Sequence, residues 1–179
     1  MNYFTNEDFK ISSITVDNYA FAALIPQVNY MGIWGEYRNI PTQLECRDTQ
    51  YWLNDESTLV TIYLESGLTL TYRIKAGYYT DFASSPDILK SFIDSDNRSI
   101  IIPAITHDIN YGTHTLSFEA SNTLFNEMMR YYKMNTIKRV LAYKAVSWFG
   151  KSRFEASKQE IHRAMELVQF DFKLGVDKI

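Results

Sequence analysis

The stretch from Ser57 to Ile74, STLVTIYLESGLTLTYRI, decides how this chain begins to fold. Ser57 to Glu65 alternates apolar and polar side chains and is rich in β-branched ones; Ser66-Gly67 supplies a turn; Leu68 to Ile74 alternates again. A period of two belongs to a pleated strand, so the two runs read as an antiparallel hairpin. A lone hairpin is not stable in water, so something must cover it. Upstream, Cys46 to Leu53 reads as a further strand, whereas residues 19–41 hold Pro26, Gly32, Gly35 and Pro41 and resist any regular assignment. That irregular segment carries Tyr19, Phe21, Tyr30, Trp34 and Tyr37. Such aromatics serve either as the cover of the hairpin or as anchors on a partner surface.

From residue 85 onward the punctuation becomes that of helices. Ser85-Pro86-Asp87 combines an N-cap, a proline at the first helical position and an acid at the positive helix end, which predicts a short helix to about Ile93. Asp94 to Ser99 reads as a polar loop, and Pro103 opens a second helix that Gly112 ends. Ser117 caps a third, to about Lys133; Thr136 starts a fourth that runs to Phe149 and stops at Gly150; Ser152 and Glu155 form a capping box for a fifth. Phe154, Ile161, Met165, Val168 and Phe172 then make the core-facing stripe of a long terminal helix. The expected architecture is α+β and a single domain over residues 1–179: an irregular, aromatic-rich extension at 1–45, a β-rich part at 46–84 and about five helices at 85–179.

Composition narrows the function classes. With a formal charge of −3, pI near 5.6 and Lys and Arg spread along the chain, no basic stripe is visible that would neutralise a phosphate backbone, so nucleic acid is not an expected partner. Cys46 is the single cysteine, which excludes an internal disulfide and a cysteine-built zinc site. No apolar run approaches the roughly 18 residues of a membrane span, and the N-terminus has no secretory pattern, so a soluble protein is expected.

The chemistry concentrates in His107-Asp108-Ile109-Asn110-Tyr111. On a helix His107 and Tyr111 share a face and Asp108 lies on its flank, so one ligand could touch all three. Asn122 falls on the apolar seam Phe118, Phe125, Met129 and Tyr132 of the next helix, where a polar side chain needs a partner. A short connection favours antiparallel packing of the two helices and brings Asn122 opposite His107. Thr80 and Asp81, at the junction between strand and helix, can either cap a turn or bind a metal. His114 and His162 read as ordinary polar positions.

The ordered patterns G-x-x-T-D-x-A-S-x-P at Gly77 to Pro86, H-D-x-x-Y at His107 to Tyr111, and Ser121-Asn122-x-x-Phe125-x-x-x-Met129 resemble a domain-of-unknown-function family common in tailed bacteriophages and their prophages. The resemblance spans Leu59 to about Phe154. In that pattern the position of Asn122 is usually Asp. More distantly, an H-D-x-x-Y helix packed against an antiparallel helix that donates an Asp is similar to the active-site hairpin of phospholipases A2, including the version inside parvovirus capsid proteins. This second resemblance implies that His107 takes a proton from water and that Asp108 binds calcium; the residue reading of the junction adds Asp81 as the further metal-ligand candidate. It also implies that Tyr111 supports the dyad and that Asn122 stands where the His-orienting Asp would be. The chain departs from the phospholipase pattern in lacking a glycine-rich calcium loop. It departs again in having at position 122 an amide that carries no charge; in a serine-protease triad the same Asp-to-Asn change costs about 10⁴ in turnover.

The expectation is therefore a bacteriophage protein made in the host cytoplasm and carried in the virion. It would be a virion- or tail-associated assembly component with a degenerate phospholipase-like site, in contact with other phage structural proteins or with itself. The alternative is an active calcium-dependent hydrolase of a lipid or another ester.

Overall fold

The computed structural model describes residues 6–18, 21–23, 52–54, 57–75, 79–80, 98–157 and 168–174. A 3₁₀ turn at Asn6–Phe9 leads into β1 (Ile11–Asp17), followed by β2 (Phe21–Ala23), β3 (Trp52–Asn54), β4 (Thr58–Leu64), β5 (Leu68–Ile74) and β6 (Tyr79–Thr80). Three helices then follow, α1 (Arg98–Thr113), α2 (Phe118–Tyr131) and α3 (Thr136–Ala156), and the last described element is β7 (Val168–Leu174). The fold is α+β, with three helices among the described residues rather than five. The helix expected at 85–93, Asp81, His162, Cys46 and the aromatics Tyr19, Tyr30, Trp34 and Tyr37 lie outside the described residues.

The hairpin β4–β5 forms the centre of a four-stranded antiparallel sheet ordered β1-β4-β5-β7. Gly67 makes its turn at φ 85°, a conformation that glycine adopts without steric penalty. Alternation does the rest: Val60, Ile62 and Leu64 on β4 and Leu68, Leu70, Tyr72 and Ile74 on β5 are buried, with Tyr63 and Arg73 exposed between them. Against that face pack Ile101, Ile105 and Ile109 of α1 and Leu124, Phe125, Met128 and Met129 of α2, which join the strands in one core. The helices are thus the cover that the hairpin required. A second sheet, ordered β2-β3-β6, contains Trp52 and Leu53 of the strand expected at 46–53, whose residues 46–51 lie outside the described residues.

Three helix boundaries differ from the sequence reading. Helix α1 begins at Arg98, so Pro103 is inside it and residues 98 and 99 are not loop. An interior proline costs about 3 kcal/mol, but Ile100, Ile101 and Ile102, each at most 2% exposed, bury apolar area worth roughly 1.5–3 kcal/mol apiece. Burial wins. At its other end Gly112 is still helical; His114 takes the left-handed position, φ 52°, and its N–H donates to the Asn110 carbonyl. Helix α3 is capped by Asn135, whose Oδ1 accepts from the Ile137 and Lys138 amides, and it runs through Gly150 and Ser152 to Ala156 without a break. The capping box at Ser152 and Glu155 therefore does not start a new helix.

Of the terminal stripe, Phe154 is on α3, Ile161 and Met165 lie outside the described residues, and the last part, with Val168 and Phe172, follows the period of a strand instead of a helix. Val168–Leu174 is a strand that pairs with β5, with Val168, Phe170 and Phe172 opposite Ile74, Tyr72 and Leu70. The segment reads V-Q-F-D-F-K-L, a strict alternation, and Asp171 is exposed as that period requires. Val168 and Phe172 are four apart, so they satisfied a helical spacing as well, and the choice between periods was made by the positions between them.

A buried polar link ties the sheet to the helical layer. The Tyr72 hydroxyl of β5 lies 3.2 Å from both Oδ1 and Nδ2 of Asn110 on α1, donating to the first and accepting from the second, with both residues fully buried. Burial pushes the Tyr72 phenol well above its ordinary pKa, the Asn110 bond opposing it. Tyr72→Phe should cost roughly 1–3 kcal/mol, because it strands a buried amide. Urea denaturation with an unchanged slope would read this directly.

Candidate functional site

The turn from His114 to Ser117 is short, and it sets α1 and α2 antiparallel: His107 meets Phe125 with ring centroids 4.8 Å apart, while Tyr111 meets Phe118 at 6.0 Å. Ser117 caps α2 by accepting from the Ala120 amide at 3.2 Å, which fixes where its first turn starts and so where Asn122 points. The Asn122 Oδ1 lies 2.8 Å from His107 Nε2 and accepts from the Tyr111 hydroxyl, also at 2.8 Å. All three side chains are at most 2% exposed. His107 and Tyr111 stack one turn apart, centroids 4.0 Å.

An amide oxygen only accepts, so the proton between His107 and Asn122 sits on Nε2. In the neutral ring Nδ1 then holds a bare lone pair. It is buried and makes no hydrogen bond among the described residues. Burial lowers the His107 pKa to about 4, against the opposing bond to Asn122, so the ring is neutral at physiological pH. The Tyr111 phenol is pushed up, first by burial, with the Asn122 bond lowering it and the charges of Asp108 and Glu119 raising it further. Chemically, the arrangement is an imidazole oriented through one nitrogen and offering the other as a base, with a neutral acceptor where a carboxylate would stabilise the protonated ring.

This buried histidine makes stability depend on pH. Its folded pKa of about 4 lies below the unfolded value near 6.5, so the unfolded chain binds more protons between them. The contribution is full above pH 6.5 and is lost as pH falls toward 4, by up to roughly 3 kcal/mol. Comparing wild type with His107→Gln across that window should show the slope flattened in the variant; parallel curves would contradict the buried neutral ring.

The structure therefore brings together His107, Tyr111 and Asn122, with half-buried Asp108 on the flank. Thr80 falls in β6, and Asp81 lies outside the described residues. Among the described residues no group of three or more His, Cys, Asp or Glu side chains is arranged to hold a metal ion. Calcium takes about six to eight oxygens, which Asp108 by itself does not provide.

Sequence reasoning missed Gly150. A Cβ built there would stand 2.5 Å from the Tyr111 hydroxyl, so glycine is what lets α3 approach the site. The signal was a glycine inside an otherwise unbroken helical pattern, which usually has a packing reason. Phe154 of α3 completes the wall, edge-on to Tyr111 at 5.2 Å. His114 is less chemical than it looks: Ser157 Oγ donates to the carbonyls of Tyr111 and Phe154, so His114 Nε2 donates to Ser157 at 2.9 Å. The hydroxyl's proton is committed to carbonyls, which makes this pair a staple between α1 and the end of α3 rather than a nucleophile and its base.

Residues 60–146 match the family described as "Protein of unknown function (DUF1353)". The match covers most of β4, then β5, β6, α1, α2 and the first half of α3, and so contains His107, Asp108, Tyr111 and Asn122 but not Gly150. Neither the curated proteins nor the solved structures contain a match to this chain.

Proposed function

We propose that this chain is a bacteriophage protein, a virion- or tail-associated assembly component that keeps a phospholipase A2-like His/Asp site in degenerate form. The reading rests on the ordered motifs within residues 60–146 and on one observation above all: the acceptor 2.8 Å from His107 Nε2 is the neutral amide of Asn122. A base with a pKa of about 4 gains little by taking a proton from water, and the imidazolium it would form has no counter-charge at position 122. The aromatic residues at 19–37 are the proposed anchors on other phage proteins or on a second copy. Mass spectrometry of purified particles is the test. Recovery of this polypeptide in stoichiometric amount supports the assembly role, and its absence from particles, together with a monomer at high concentration, removes it.

A second reading, a calcium-dependent hydrolase of a lipid or other ester, is favoured by the buried and unbonded Nδ1 of His107. In it His107 removes a proton from water as that water attacks the ester, with Tyr111 and Asn122 holding the ring. Bound calcium would supply charge at the oxyanion, held by Asp108 and Asp81. Titration calorimetry should then show calcium heat that Asp108→Ala abolishes, and calcium should raise the melting temperature by mass action. No heat in either protein returns the choice to the assembly role.

A further inference from the structure

We propose that the outward face of α3 docks onto an anionic lipid surface. The helix buries Ala142, Ala145, Val146, Gly150 and Phe154 on one side. On the other it exposes apolar residues that a solitary surface helix has no reason to carry: Ile137 at 71%, Leu141 at 42%, Trp148 at 69% and Phe149 at 70%. Ile137, Leu141, Lys144 and Trp148 follow a 4-3-4 spacing and form one continuous stripe, with Phe149 on its flank.

Charge identifies the occupant. The chain as a whole is net negative, yet α3 carries five cations against one carboxylate, Glu155. Arg139 is turned inward to Asn126 of α2, at 3.0 Å, while Lys138, Lys144 and Lys151 are exposed on or beside the stripe and Arg153 is exposed one turn beyond Phe149. A two-fold contact with a second copy would set these cations against one another. Nucleic acid would take the charges but leave the large apolar side chains wet. A leaflet rich in anionic headgroups satisfies both at once: Trp, Phe, Ile and Leu enter the interface, and long lysine side chains extend to the headgroups. Lys144 Nζ, 5.6 Å from the Trp148 ring centroid, already pairs the two kinds of group. No helix among the described residues is long and apolar enough to cross a membrane, so the contact is peripheral.

The test is co-sedimentation of the full chain with vesicles of phosphatidylcholine alone and of phosphatidylcholine mixed with phosphatidylglycerol, at low and high salt. Binding is expected to the mixed vesicles only, to weaken with salt, and to be lost in Trp148→Ala/Phe149→Ala. Lys144→Gln/Lys151→Gln should weaken it roughly thirty-fold. All four positions are exposed, so the variants should keep the wild-type circular dichroism. His107→Gln should sediment like the wild type, which separates this surface from the buried site. Protein that stays in the supernatant with mixed vesicles overturns the proposal. So does binding that the aromatic double variant retains, which marks general attraction to polyanions, and so does self-association that the same variant abolishes.

Discussion

Asn122→Asp should raise the His107 pKa well above about 4 and switch on whatever hydrolysis the fold can support. The carboxylate would accept from the same two donors, His107 Nε2 and the Tyr111 hydroxyl, and would add the charge that a protonated imidazole needs. If the geometry is otherwise competent, turnover of lipid or simple esters should rise by up to about 10⁴, the scale of the reverse change in a serine-protease triad. Stability should move the other way, because a buried carboxylate carries a desolvation penalty of several kcal/mol that two charge-assisted bonds only partly offset. The imidazole titration followed by NMR reads the first effect and ester hydrolysis the second. A raised pKa with background turnover would sink the relic-enzyme idea while leaving the site's electrostatics intact; an unmoved pKa would mean that the His107–Asn122 contact is not as described.

Gly150→Ala should destabilise the fold even though alanine is the better helix former. Propensity alone favours alanine by about 1 kcal/mol. Against it, the new methyl stands 2.5 Å from the Tyr111 hydroxyl and 3.3 Å from two ring carbons. Tyr111 is held between Phe118 and Phe154 and hydrogen-bonded to Asn122, so it yields only by giving up that bond. A lost buried hydrogen bond and an overpacked wall together outweigh propensity, leaving a net loss of roughly 1–4 kcal/mol. The sharper form is a double-mutant cycle with Tyr111→Phe, which removes the hydroxyl that the methyl would meet. The double variant should be no less stable than Tyr111→Phe alone. A single Gly150→Ala variant more stable than wild type would refute the close approach of α3 to the site.

Local patterns made several elements legible. The hairpin at 57–74 was readable because strand periodicity and a Ser-Gly turn agree there, and the start of α2 because Ser117 caps it. The apposition of His107 and Asn122 was readable from a seam position and a short connection. Other features depended on competition between terms. Whether Pro103 starts a helix or sits inside one was settled by the burial of Ile100, Ile101 and Ile102. Whether Gly150 stops α3 or admits Tyr111 was settled by a contact from a residue far away in sequence.

What the sequence by itself determined, then, is the set of elements whose cues are local, together with the residue types of the site: an imidazole, a phenol and a neutral amide at spacings that let two helices share them. Only the tertiary structure decided where the 168–174 strand goes, since its alternation is local but its pairing with the edge of β5 joins segments about a hundred residues apart. It also decided which nitrogen of His107 is left bare, because the tautomer follows from what Asn122 accepts, and why the ring is neutral, because desolvation belongs to the packed core and not to the helix that carries the residue. Periodicity and capping act over a few neighbouring residues and are written in the chain; burial, edge pairing and desolvation arise only when distant segments exclude water together.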